Sequence, residues 1–234
     1  MSSVANPLII AHRGASAEAP ENTLAAFRRA LVLKADGIEL DVQLSRDGVP
    51  VVFHDPNLLR LTGQRGRLAA RTWPELKKLH VLGSKEGIPR LVDVLAFTRR
   101  RIVVQIELKR GADVASVVAA IKKAKARAWV ILASFELSLV CEATRLAPTI
   151  PRMLISDGRR SVATLIRQLT TCEAHGLSVN YRAVRKAVYA ARFQARGFVV
   201  WCWTVNDAAT ARRLVAWGID GLLGDNPALL KCLI

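Results

Sequence analysis

The chain has no apolar run approaching the roughly 20 residues that cross a bilayer. It also has no Cys-x-x-Cys pair, and only 19 acidic residues stand against 35 lysines and arginines. The first absence excludes a membrane-spanning helix. The second leaves Cys141, Cys172, Cys202 and Cys232 far apart among apolar neighbours, where four buried free thiols in a reducing compartment are expected. From Met1 to Pro7 there is no basic segment, long apolar core or cleavage site, so no secretory signal is read and a cytoplasmic location is expected. The shortage of acids gives a net charge of +16, which attracts anions such as phosphate esters and allows peripheral contact with an anionic membrane. Basic segments interleaved with aromatics are missing, so nucleic acid is not an expected partner.

No composition break or repeat divides the chain, and a single domain over residues 1–234 is expected. Short apolar runs ending near Ala11, Leu44, Leu108, Ser134, Ile155, Asn180, Val205 and Leu223 alternate with helical patterns such as Asp113–Arg127, Val162–His175 and Ala183–Arg196. Eight strands alternating with helices predict an α/β fold, a TIM-type (β/α)8 barrel. An open doubly wound sheet is the alternative, but no Gly-x-Gly-x-x-Gly or phosphate loop follows any strand. Asp47-Gly48 predicts a hairpin after the second strand. Residues 56–90 have a looser, glycine-punctuated pattern that reads as a short insertion or lid after that hairpin, with a short helix from Trp73 to Leu79. Asn22 or Thr23 caps the first helix.

In a barrel, the strand C-termini form the active face. His12 and Arg13 end the first strand, and His54 follows the hairpin strand. Glu39 and Asp41 share one side of the second strand through i,i+2 spacing, as Glu107 and Lys109 do near the end of the third. Three carboxylates at one barrel mouth repel unless a cation lies between them, and hard oxygen ligands suit Mg2+ or Ca2+. Imidazoles titrate near neutrality, so two of them can serve acid/base chemistry beside such a cation. Each residue also has a plainer reading: Lys109 as a structural partner of Glu107, Trp203 and Phe135 as core, His80 and His175 as ordinary loop or core histidines.

The ordered series HRG, PENT, GIELDVQLSRDG, VVFHD, IELK, WTVND and GIDGLLGDNP, from His12 to about Pro227, resembles the glycerophosphodiester phosphodiesterases, in particular compact bacterial-type members. The resemblance implies a TIM barrel, a divalent metal, and hydrolysis of a glycerophosphodiester to glycerol 3-phosphate and an alcohol. It implies Glu39, Asp41 and Glu107 as metal ligands and His12 and His54 as the acid/base pair. Arg13 and Lys109 would hold the phosphate, and Asn22, Phe135 and Trp203 would shape the substrate site. The chain departs from the family's usual Thr-Asp near the last strand, with Gly224-Asp225, a change expected to touch substrate fit more than chemistry. Two other readings are a lysophospholipase D-type enzyme acting on lysophospholipids and a barrel that binds phosphodiesters without turning them over.

Overall fold

The structure, a computed structural model, describes residues 6–233. Among these residues are nine strands: β1 Leu8–Ala11, β2 Gly37–Leu44, β3 Pro50–Val52, β4 Val103–Leu108, β5 Val130–Ser134, β6 Arg152–Ser156, β7 Gly176–Asn180, β8 Val199–Trp203 and β9 Gly221–Gly224. Eight pair in parallel in the order β1-β9-β8-β7-β6-β5-β4-β2, and β1 pairs with β2 to close the barrel. Strand β3 is an antiparallel hairpin partner of β2 outside that ring. The expected TIM barrel is therefore the fold.

The apolar pattern explains the layers. Ile38, Leu40, Val42, Val104 and Ile106 face outward from β2 and β4 and pack with Phe27, Val117 and Ile121 of the covering helices. A matching layer on the other half joins Leu177, Val179, Val200 and Cys202 to Leu165, Leu169 and Leu214. Each such side chain contributes about 1.5–3 kcal/mol by leaving water. The inward faces carry a smaller plug of Ile10, Met153 and Trp201 below the mouth, with Ile155 and Leu223. Trp201 fits only because its neighbour in register is Gly221, where a Cβ would come within 2.7–2.8 Å of the indole.

Local signals account for most boundaries. Thr23 caps the helix Leu24–Val32 by accepting from Ala26 N. Helix Ala183–Arg196 is corrected to Val188–Gln194, preceded by a 3-10 turn at Tyr181–Ala183, and the strand expected to run to Val205 ends at Trp203. The segment between the hairpin and Arg90 is better packed than its sequence pattern implies. Its short helices Leu59–Thr62 and Trp73–Leu76 bury Leu61 and Leu76, and the neighbouring turns bury Leu58 and Leu68, against Val51 and Phe53.

The cysteine expectation is corrected. Cys141, on helix Leu137–Leu146, and Cys172, at the end of helix Val162–Thr171, form a disulfide with Cα atoms 4.4 Å apart. Only Cys202, buried, and Cys232, exposed, are free thiols among the described residues. The two bonded residues lie 31 positions apart and meet because successive helices pack side by side around the barrel, a proximity that local spacing does not display. The case for a reducing compartment built on four free thiols falls with it. No helix of the described residues is long and apolar enough to cross a membrane.

Candidate active site

Strands β2 and β4 lie side by side in a register that sets Glu39 beside Gln105 and Asp41 beside Glu107. The strands' outward faces are aliphatic, so these four polar side chains all point into the barrel. Glu39, Asp41 and Glu107 are buried, and one oxygen from each lies within 4.8 Å of the others. Two cations lean on the cluster. Lys109 Nζ is 2.7 Å from Asp41 Oδ1 and 2.5 Å from Glu107 Oε1, and Arg13 Nε is 3.4 Å from Asp41 Oδ2.

The cluster holds more negative charge than its neighbours offset. Burial, then the charges of Asp41 and Glu107, push the Glu39 carboxyl well above its ordinary range. Burial and Asp41 raise Glu107 to about 7. Burial opposes the charge of Asp41 as well, but Lys109 and Arg13 outweigh it and hold its carboxyl low. Glu39 and Glu107 are thus both pushed toward their protonated forms unless further positive charge enters. An all-oxygen donor set with that deficit fits a hard divalent cation.

Backbone groups aim these ligands. After β1 the chain turns through Arg13, at φ 57°, and Gly14, at φ 82°, where a Cβ would lie 2.7 Å from Ala26. This turn points Arg13 N at Glu39 Oε2, 3.0 Å away. Asn22, also left-handed at φ 59°, donates from Nδ2 to Asp41 Oδ2 at 2.8 Å and accepts from Asp41 N at 3.2 Å. Asn22, expected among the residues that shape the substrate site, is 1% exposed, lies outside the cavity lining and holds Asp41.

His12 and His54 both line the cavity, and each offers Nδ1 to a carboxylate. His12 Nδ1 is 2.7 Å from Asp225 Oδ1, and His54 Nδ1 is 2.7 Å from Asp55 Oδ1. Asp225 is itself fixed by Ser16 Oγ at 3.2 Å and by Asn206 Nδ2 at 2.5 Å. Gln43 Nε2 donates to the carbonyls of Phe53, His54 and Asp55, pinning the loop that carries the second histidine. Burial, with Lys109 and Arg13 nearby, lowers the His54 ring below its ordinary value against the pull of Asp41 and Asp55, which favours the neutral ring.

Arg60, from helix Leu59–Thr62, ties Asp55 to Glu21. Its Nε and Nη2 grip Asp55 at 2.6 and 2.8 Å, and its Nη1 and Nη2 reach Glu21 at 2.8 and 3.0 Å. Glu21 in turn accepts from Arg13 Nη1 at 2.7 Å. The hydrogen bond from Arg60 holds Asp55 at about 2, against the effect of burial.

The remaining wall is uncharged and mostly apolar. Phe135 meets Trp203 edge to face at 5.7 Å, and Trp203 Nε1 donates to Ser178 O at 3.2 Å. The cavity they enclose with the acids measures about 270 Å³. Trp201 sits deeper, as the plug, so the two same-side tryptophans divide between floor and wall. His80 and His175 lie outside this lining; His175 Nδ1 accepts from Arg152 N at 3.3 Å. Asp55, Asp225, Arg60, Glu21 and Gln43 carried no assigned role in the sequence reading. Adjacency to His54 is the sequence signal for Asp55, whereas nothing near Asp225 in sequence points to His12.

Known proteins share this arrangement's scaffold and pattern. The sequence model of the Glycerophosphoryl diester phosphodiesterase family matches residues 12–229. The glycerophosphodiester phosphodiesterase of Caldanaerobacter subterraneus subsp. tengcongensis is 33% identical, with 97% of each chain covered. An Oleispira antarctica phosphodiesterase, solved in complex with the product sn-glycerol-3-phosphate, superposes with a TM-score of 0.90 at 28% identity, covering 97% of this chain and 96% of that one. A glycerophosphodiester phosphodiesterase from Thermotoga maritima superposes at 0.84 with 29% identity, covering 98% and 99%.

Proposed function

The chain belongs to the glycerophosphoryl diester phosphodiesterase family and is a phosphoric diester hydrolase. From that premise we propose that it hydrolyses glycerophosphodiesters to glycerol 3-phosphate and an alcohol by two-histidine acid/base catalysis at a divalent metal held by Glu39, Asp41 and Glu107. One observation carries this reading: three buried carboxylates short of positive charge stand in a cavity flanked by two histidines, each backed by an aspartate.

A phosphodiester is a stable anion, so its hydrolysis needs charge neutralised on a non-bridging oxygen and a proton delivered to the departing alkoxide. Arg13 and Lys109, both in the cavity wall, serve the first need by pairing with the phosphate. The metal, Mg2+ or Ca2+, would add Lewis-acid polarisation of the phosphoryl group. His12 and His54 serve the second need as a pair: one removes the proton of the attacking hydroxyl, the other protonates the leaving oxygen. Asp225 and Asp55 fix which ring nitrogen faces the cavity, because each occupies Nδ1 and leaves Nε2 for the substrate. Phe135 and Trp203 give the glycerol carbons an apolar wall and keep bulk water from the phosphate.

The test is release of glycerol 3-phosphate by the purified protein from glycerophosphocholine with Mg2+ or Ca2+, and its loss with chelator. Binding of the diester without any alcohol release under these conditions would refute the proposal. Faster turnover of lysophosphatidylcholine than of glycerophosphocholine would move the substrate to lysophospholipids.

A further inference from the structure

Beside Glu39, the barrel interior holds a buried polar side chain that this chemistry leaves idle. In the two-by-two array on β2 and β4, three corners are carboxylates and the fourth is the amide of Gln105. Gln105 is 1% exposed and lines the active-site cavity. Its Nε2 has only the Met153 sulfur at 3.9 Å, and its Oε1 has no hydrogen-bond partner among the described residues. A buried amide left unpartnered is costly, so such an atom marks a place where a polar group arrives from outside.

The other bare buried atoms differ. Arg13 Nε has the Asp41 carboxylate at 3.4 Å, while Arg152 and Tyr189 do not line the cavity. The wall shared with Gln105 is neutral on the side away from the acids, formed by Ile155, Ser178 and Leu223. A neutral amide beside Glu39, with Ile155, Ser178 and Leu223 completing its wall, does not call for another ionic group. Phosphate oxygens carry no proton for Oε1, and they are drawn to Arg13 and Lys109 instead. A hydroxyl on a short carbon chain matches both the apolar wall and the amide. It also matches either orientation of that amide, since a hydroxyl donates to the oxygen or accepts from the nitrogen equally well.

We propose that Gln105 is the specificity-determining floor of the glycerol subsite and hydrogen-bonds a free hydroxyl of the substrate's glycerol. This rests on the reading of the site as a glycerophosphodiesterase. It assigns the selectivity for glycerol over other alcohol phosphodiesters to the residue paired in register with Glu39.

The experiment compares Gln105→Met and Gln105→Leu with wild type on two substrates. These are glycerophosphocholine and bis(4-nitrophenyl) phosphate, a phosphodiester without hydroxyls. The variants are expected to lose roughly tenfold to a hundredfold in kcat/KM on glycerophosphocholine and to stay within about twofold of wild type on the nitrophenyl ester. Mg2+ affinity by calorimetry and Tm should match wild type, and Gln105→Asn, which keeps a shortened amide, should fall between. Equal losses on both substrates, or none on either, overturn the proposal. Weakened Mg2+ binding overturns it too, because Gln105 would then serve the metal. A wild type that cleaves the nitrophenyl ester but releases no choline from glycerophosphocholine refutes the functional reading itself. A wild type active on both, with unaffected variants, refutes only the role of Gln105.

Discussion

His12 and Asp225 lie 213 positions apart in sequence, yet His12 Nδ1 and Asp225 Oδ1 are 2.7 Å apart. The contact exists because β9, which ends just before Asp225, pairs with β1, which ends just before His12, with Ala11 opposite Gly224. Closure of the barrel therefore assembles the first histidine–aspartate couple. In the Gly224-Asp225 pair the aspartate that meets His12 is kept, and the departure from Thr-Asp lies at position 224 alone. Gly224 also leaves room where a Cβ would come within 2.3 Å of the Val205 carbonyl.

That couple makes a graded prediction. His12→Ala and His54→Ala should each reduce kcat by about 10²- to 10⁴-fold, the usual contribution of a general acid or base. Asp225→Asn keeps the side-chain shape but loses the charge and the tautomer control, so its kcat should fall to an intermediate level with little change in KM. Steady-state kinetics checks this, and full activity in either alanine variant would rule out the two-histidine mechanism.

Metal affinity should depend on pH. Glu107, raised to about 7, and Glu39, raised well above its usual range, must give up protons to bind a cation. Protons then compete with metal as pH falls, so Mg2+ affinity by calorimetry should weaken from pH 8 to pH 6, with proton release at the lower pH. An affinity flat across that window would mean that the carboxylates do not bind the ion.

The Arg60 clamp should appear in acid stability. Asp55 is depressed to about 2 in the folded state from an ordinary value of 3.8. A depressed carboxyl contributes stability that is present above its unfolded value and lost as pH falls through its folded one. Arg60→Ala should therefore be less stable than wild type at pH 5, and the gap should narrow as pH drops from about 4 toward 2. Urea midpoints at pH 5, 4 and 3 test this, and a gap of constant size would contradict it.

The disulfide should be detectable chemically. Under native, non-reducing conditions a thiol reagent should label exposed Cys232, spare buried Cys202, and leave Cys141 and Cys172 linked in one peptide pair by mass spectrometry. Reduction should then lower stability by about 2–4 kcal/mol, the usual range for such a cross-link. Four labelled thiols in the denatured, unreduced protein would disprove the bond.

Much of this was legible before folding. The i,i+2 spacing of Glu39 with Asp41, and of Glu107 with Lys109, already places those pairs on one strand side, because side-chain direction along a strand alternates by local geometry. Strand count and helical alternation likewise point to a barrel, and the ordered motifs point to the family. The partners of those residues were not legible. Asn22 reads as a helix cap or substrate contact, but Thr23 takes the cap and the left-handed turn sends Asn22 to Asp41. Cys141 and Cys172 read as separate thiols, and Arg60 reads as one more surface charge. By itself the sequence determined the inventory of chemical groups, the strands that carry them and the side each one faces. Tertiary structure alone decided which groups meet, because hydrogen bonds, ion pairs and metal sites act over a few ångströms, and only strand pairing and barrel closure bring remote positions within that reach.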